Sequence, residues 1–113
     1  MRNFYSFDHK PSFLDVSKAV LEVSGVSFKE MIEGSSTKRI VNAKAIFAFA
    51  MKEYCGATIP DIAEVLEMDA SSISYLLNKV KKSNPNLRMI KSEVRERVFF
   101  HADEDRQYTM TFN

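Results

Sequence analysis

The sequence predicts an all-α fold, a helical bundle with a helix-turn-helix at its centre. Three observations carry this. Apolar residues recur at helical spacing through most of the chain. Segment after segment opens on Ser, Thr or Asp, often with an acid three residues later. And the stretch Thr58 to Lys82, TIPDIAEVLEMDASSISYLLNKVKK, breaks its period once, at Glu67 and Met68, then restarts it at Asp69. Two short helices joined by a tight turn have this form.

The 113 residues suit one domain with an added tail, expected as an arm at 1–11, a helix-turn-helix domain at 12–82 and an addition at 83–113. A hydrophobic fraction of 45% is ordinary for a soluble globular chain. Cys55 is the one cysteine, so no internal disulfide can form, and a reducing, cytoplasmic setting is expected. No apolar run reaches membrane-spanning length, so no membrane partner is expected. The net charge of +1 says little as a total, because the charges are clustered.

Met1 to Pro11 lack a period and read as an arm, with Phe4, Tyr5 and Phe7 suited to docking. Ser12 caps the next segment, and Asp15 stands where a capping-box acid belongs. Phe13, Val16, Val20, Leu21 and Val23 form its stripe, and Gly25 closes it. Ser27 opens a short helix with Glu30 as its acid and Phe28, Met31 and Ile32 as its buried side. Gly34 to Thr37 form a polar loop with Lys38 and Arg39 at its end.

Ile40 to Tyr54 is the most apolar helix, rich in alanine, and belongs at the centre of the bundle. Cys55 and Gly56 stop it, and the thiol reads as a core residue. In the helix-turn-helix, Thr58 caps the first helix with Pro60 early in it. Ile62, Val65 and Leu66 face a core, as do Ile73, Leu76, Leu77 and Val80 of the second helix. Ser83, Asn84 and Pro85 break the pattern. Arg88 to Phe99 is helix-compatible and basic, with Met89, Ile90, Val94 and Val98 apolar. The end, RQYTMTF, alternates in a strand-like way, which leaves short strands at the termini open, paired with the arm.

No catalytic constellation is present. His9 and His101 lie near opposite ends without a cysteine or acid at ligand spacing, and the three glycines are isolated. Asp103, Glu104 and Asp105 read as a solvated charge run. The chain is therefore expected to be no enzyme and to need no cofactor or metal.

From Phe13 to Val80 the chain resembles the C-terminal DNA-binding domain of the bacterial replication initiator DnaA. A short helix, a polar-basic loop and an alanine-rich helix ending Lys52-Glu53-Tyr54 come in that order. Thr58-Ile59-Pro60-Asp61-Ile62-Ala63 is similar to the family's Ser-Leu-Pro-Glu-Ile-Gly. Asp69-Ala70-Ser71-Ser72-Ile73 stands at the family signature of Asp-His, two hydroxyl residues and Val, and Asn78-Lys79-Val80 resembles Arg-Lys-Ile.

The resemblance implies a TrpR-like helix-turn-helix and double-stranded DNA as the partner. It implies that Lys44 and Lys52 lie near DNA, and that Thr58, Ile59 and Pro60 meet backbone and groove. Asp69, Ala70, Ser71 and Ser72 then enter the major groove, and Lys38 and Arg39 belong to a loop reaching the minor groove. The chain departs from the family at Ala70 for histidine, Met68 for arginine and Glu67 for a turn glycine, and Gly34, Ser35 and Ser36 stand in a mostly basic loop. These changes remove groups that read bases and neutralise phosphates.

Two functions are open. One is a sequence-biased DNA-binding protein of bacterial or phage origin acting in replication initiation or transcription regulation. Lys38, Arg39, Lys44, Lys79, Lys81, Lys82, Arg88 and Lys91 favour it. The other is a protein-binding adaptor that keeps the fold, favoured by Glu67 and Met68. A protein partner or self-association would then use the segment from Leu87 or the aromatic arm.

Overall fold

A computed structural model describes residues 10–34, 36–82 and 85–111. Six helices follow one another in it: α1 (Phe13–Ser24), α2 (Phe28–Glu33), α3 (Lys38–Cys55), α4 (Ile59–Leu66), α5 (Ala70–Lys81) and α6 (Pro85–Thr111). The readings placed on the arm, Phe4, Tyr5, Phe7 and His9 among them, lie outside the described residues.

The local signals set most helix starts. Ser12 and Asp15 exchange bonds in a capping box, as do Ser27 with Glu30 and Thr58 with Asp61. Each box satisfies two backbone amides that a helix start leaves without partners. Gly25 closes α1 and Gly56 closes α3, both at φ 75°.

α3 is the hub. Ala43, Ala45, Ile46, Phe47, Ala48 and Ala50 are buried around it, and α1, α2, α4, α5 and α6 all pack on it. Its small side chains let neighbours approach on several sides at once. Phe47 meets Phe13 of α1 and Phe28 of α2, with ring centroids 5.9 and 5.7 Å away. Ile73, Leu76 and Val80 turn the apolar face of α5 into the same core. In α1 Val16, Ala19 and Val20 are buried, whereas Leu21 of the expected stripe is largely exposed.

Three expectations need correction. α3 begins at Lys38, so Lys38 and Arg39 form its first turn and are not loop residues. Thr37 causes this, because its hydroxyl accepts the Ile40 amide at 3.4 Å and starts the helix early. Second, Pro85 opens a helix, since its fixed φ suits a first turn, while Ser83 and Asn84 lie outside the described residues. Third, residues 106–111 of RQYTMTF are helical, since α6 runs on to Thr111, while Phe112 lies outside the described residues. No Gly or Pro interrupts the chain after Pro85, and extending an existing helix costs far less than nucleating a strand. Leu87, Val94 and Val98 carry the buried stripe of α6, while Met89 is exposed.

α6 lies along α1. His101 is buried, and its Nε2 sits 2.9 Å from Glu22 Oε1. Arg97 reaches the same carboxylate at 3.3 Å. These hydrogen bonds, that from His101 foremost, hold the Glu22 carboxyl below its ordinary range despite some desolvation.

The turn between α4 and α5 carries the one non-glycine residue at positive φ among those described, Glu67 at φ 56° and ψ 46°. Its amide bonds to Glu64 O at 3.2 Å and that of Met68 to Ala63 O at 2.9 Å, the paired bonds of a Schellman close. A left-handed L-residue costs about 1–2 kcal/mol, and glycine gives back about 0.4–1 in unfolded-chain entropy. Glu67→Gly is therefore expected to raise stability by about 0.5–1 kcal/mol, read as a higher urea midpoint at unchanged slope. A lower midpoint would show that the Glu67 side chain holds the turn.

Candidate nucleic-acid interface

α5 starts at a strong cap. The Asp69 carboxylate accepts the Ser72 amide at 2.8 Å and the Ser71 hydroxyl at 3.0 Å. Hydrogen bonds from Ser72, then from Ser71, hold the Asp69 carboxyl below its usual range. Asp61 is lowered in the same way by its bonds with Thr58. A carboxyl lowered on folding stabilises above its unfolded value near pH 4 and loses that contribution as pH falls through the lowered value. Asp69→Ala is expected to lower the melting temperature at pH 7 by about 4–8 °C, the scale of one lost cap in a domain of this size. The deficit should shrink toward pH 3. A deficit equal at both pH values would assign the loss to something other than the ionised cap.

Six of the eleven implied site residues line three neighbouring depressions. In the first, Lys44 of α3 meets Ser71 and Ser72 across a groove floored by Val41, Met68 and Leu76. The packing of α5 on α3 brings these together. In the second, Lys38 stands with Asn42 opposite the later turns of α5. In the third, Lys52 and Ile59 lie beside Lys81, with Glu53 among them. Pro60 and Ala70 are exposed, and the Thr58 hydroxyl is taken up by its capping box. Arg39 is tied down: its guanidinium donates to Gly25 O at 2.8 Å and lies 3.8 Å from Glu30.

Sequence reasoning missed Tyr75, Asn78 and Asn42. Tyr75 is 63% exposed and lines both the first and the second depression. Asn78 lines the second and the third. Ser71, Tyr75, Asn78 and Lys82 follow helical spacing on the polar face of α5, opposite Ile73, Leu76 and Val80. That complementary stripe was the available signal.

Cys55 is half-buried, and burial pushes its thiol up to about 11, which suits an inert packing residue. Among the described residues no three His, Cys, Asp or Glu side chains gather as metal ligands.

Residues 14–80, more than half of the chain, match the family described as the bacterial DnaA protein helix-turn-helix. The chain belongs to this family. No curated protein and no solved structure matches it. The DnaA helix-turn-helix is a DNA-binding module, and the match spans α1 to α5, from Leu14 through Val80. No helix among the described residues is long and apolar enough to cross a membrane.

Proposed function

We propose that this protein binds double-stranded DNA with a sequence bias and acts in replication initiation or transcription regulation, with the first turn of α5 in the major groove. The observation that carries this is the groove in which Lys44, Ser71 and Ser72 come together within the family-matched segment. Lys44 supplies charge for a backbone phosphate. The first turn of α5 has free amides and the positive end of the helix dipole. Ser71 spends its proton on Asp69, so toward DNA it offers lone pairs, suited to an amino group of cytosine or adenine. Tyr75, one turn further, is placed for the next base step or a thymine methyl. Lys38 and Lys52 flank this face and serve the backbone.

The test is duplex binding across a salt series. Roughly three to five neutralised phosphates give a log–log slope of about −3 to −4.5. Lys44→Gln keeps most of the side-chain stem and should flatten the slope by about 0.9 on every duplex alike. No binding to any duplex at low salt would overturn the reading and favour an adaptor that keeps the fold without DNA.

A further inference from the structure

α5 ends and α6 begins beside a cleft of about 410 Å³, built from three helices and the C-cap of α5. Lys38 and Asn42 come from α3, Asn78 and Lys79 from α5, Lys82 from its cap, and Asn86 from the first turn of α6. Among the described residues no carboxylate lines it. Among the described residues none of its three lysines has an acidic partner within 4 Å. The neighbouring depression differs, since Glu53 stands there with Lys52 and Lys81. Three ammonium groups around one cleft repel one another, and an anion between them would relieve that repulsion. Three asparagine amides add donors for its oxygens.

We propose that this cleft seats a phosphate group, and that α6, beyond the end of the family match, is thereby part of the binding surface. For the source of the phosphate, a DNA backbone, the inference rests on the function proposed above. The geometry suits that source. Lys82 follows Ser71 by eleven residues, about 17 Å along a helix. The major groove is ~12 Å wide, so with Ser71 at the bases the far end of α5 meets the bordering strand. Tyr75 lines both the groove of Ser71 and this cleft, which makes the two surfaces continuous.

The experiment compares the whole protein with Lys79→Ala plus Lys82→Ala, and separately with Asn86→Asp, each checked for folding by thermal melting. Duplex affinity is read by fluorescence anisotropy over a salt series. The double variant should bind every duplex more weakly, with a slope flatter by about 0.9 for one lost phosphate. Asn86→Asp should weaken binding severalfold without removing a positive charge. Wild-type slope in the folded double variant, with duplex binding intact, overturns the proposal. A parallel titration with tripolyphosphate, followed by amide NMR, separates the sources. If the protein ignores all duplexes but tripolyphosphate shifts the amides of Lys38, Lys79 and Asn86 saturably, the cleft stands as a site for a free phosphorylated ligand and the DNA reading falls. If neither duplex nor tripolyphosphate binds, the cleft is no phosphate site.

Discussion

Ser71→Glu together with Ser72→Glu should give a folded protein that has lost duplex binding. Both residues lie in the first turn of α5, Ser71 exposed and Ser72 half-buried. Acids suit a helix start, where they meet the positive end of the dipole. Glutamate at position 72 also stands three residues after the Asp69 cap, the place of a capping-box acid. Thermal stability should therefore hold or rise. On the proposed reading the same two charges would face a polyanion and replace hydroxyls offered to the bases. Two repulsions of about 1 kcal/mol each, with one lost hydrogen bond of similar worth, weaken binding on the order of a hundredfold. Should the folded double variant bind as tightly as the wild type, α5 does not enter the groove.

Leu76→Ala carries the largest expected loss of stability. Leu76 is 3% exposed and belongs to the core that α5 shares with α3. Truncation removes its transfer energy and leaves a cavity, together about 2–5 kcal/mol. A domain of ordinary stability holds only about 5–15 kcal/mol, so the variant is close to the threshold of folding. Urea denaturation reads this as a lower midpoint at the wild-type slope. A midpoint within a few tenths of a kcal/mol of wild type would mean that α5 does not rest on α3. Leu76 also floors the groove of Lys44, Ser71 and Ser72, so duplex affinity should fall in the folded fraction too.

Signals that act within a few residues were legible in the sequence. Ser12 with Asp15, Ser27 with Glu30, Thr58 with Asp61, and Asp69 are caps whose partners lie three residues away. Gly25 and Gly56 are closures that any sequence reader would place. The apolar stripes of α3 and α5 were equally plain. What escaped notice depends on distant partners or on competition between local rules. Thr37 outcompeted the polar loop and drew Lys38 and Arg39 into a helix. The alternation in RQYTMTF is a real strand pattern, but through Thr111 a helix already under way overrode it. Arg39 reads as a free cation until the Gly25 carbonyl, fourteen residues earlier, is placed beside it. The candidate site was legible residue by residue but not as surfaces. Nothing in the spacing says that Lys44 shares a groove with Ser71 and Ser72, while Lys38 faces Asn78 and Lys79 instead.

The pairing of α1 with α6 also imposes an order in time. His101 and Glu22 are 79 residues apart, and Val16 and Val20 lie on α1, which α6 covers. At about 5–20 residues per second, a ribosome needs roughly 4–16 s to pass from one partner to the other. Throughout that interval α1 has its local caps but not its lid. The helix-turn-helix is completed first, on α3, while the bundle stays open along one side. Closure on α1 then waits on the stretch of α6 that carries Val94, Val98 and His101. A nascent chain with α6 still unmade would hold the helix-turn-helix on a protein not yet shut.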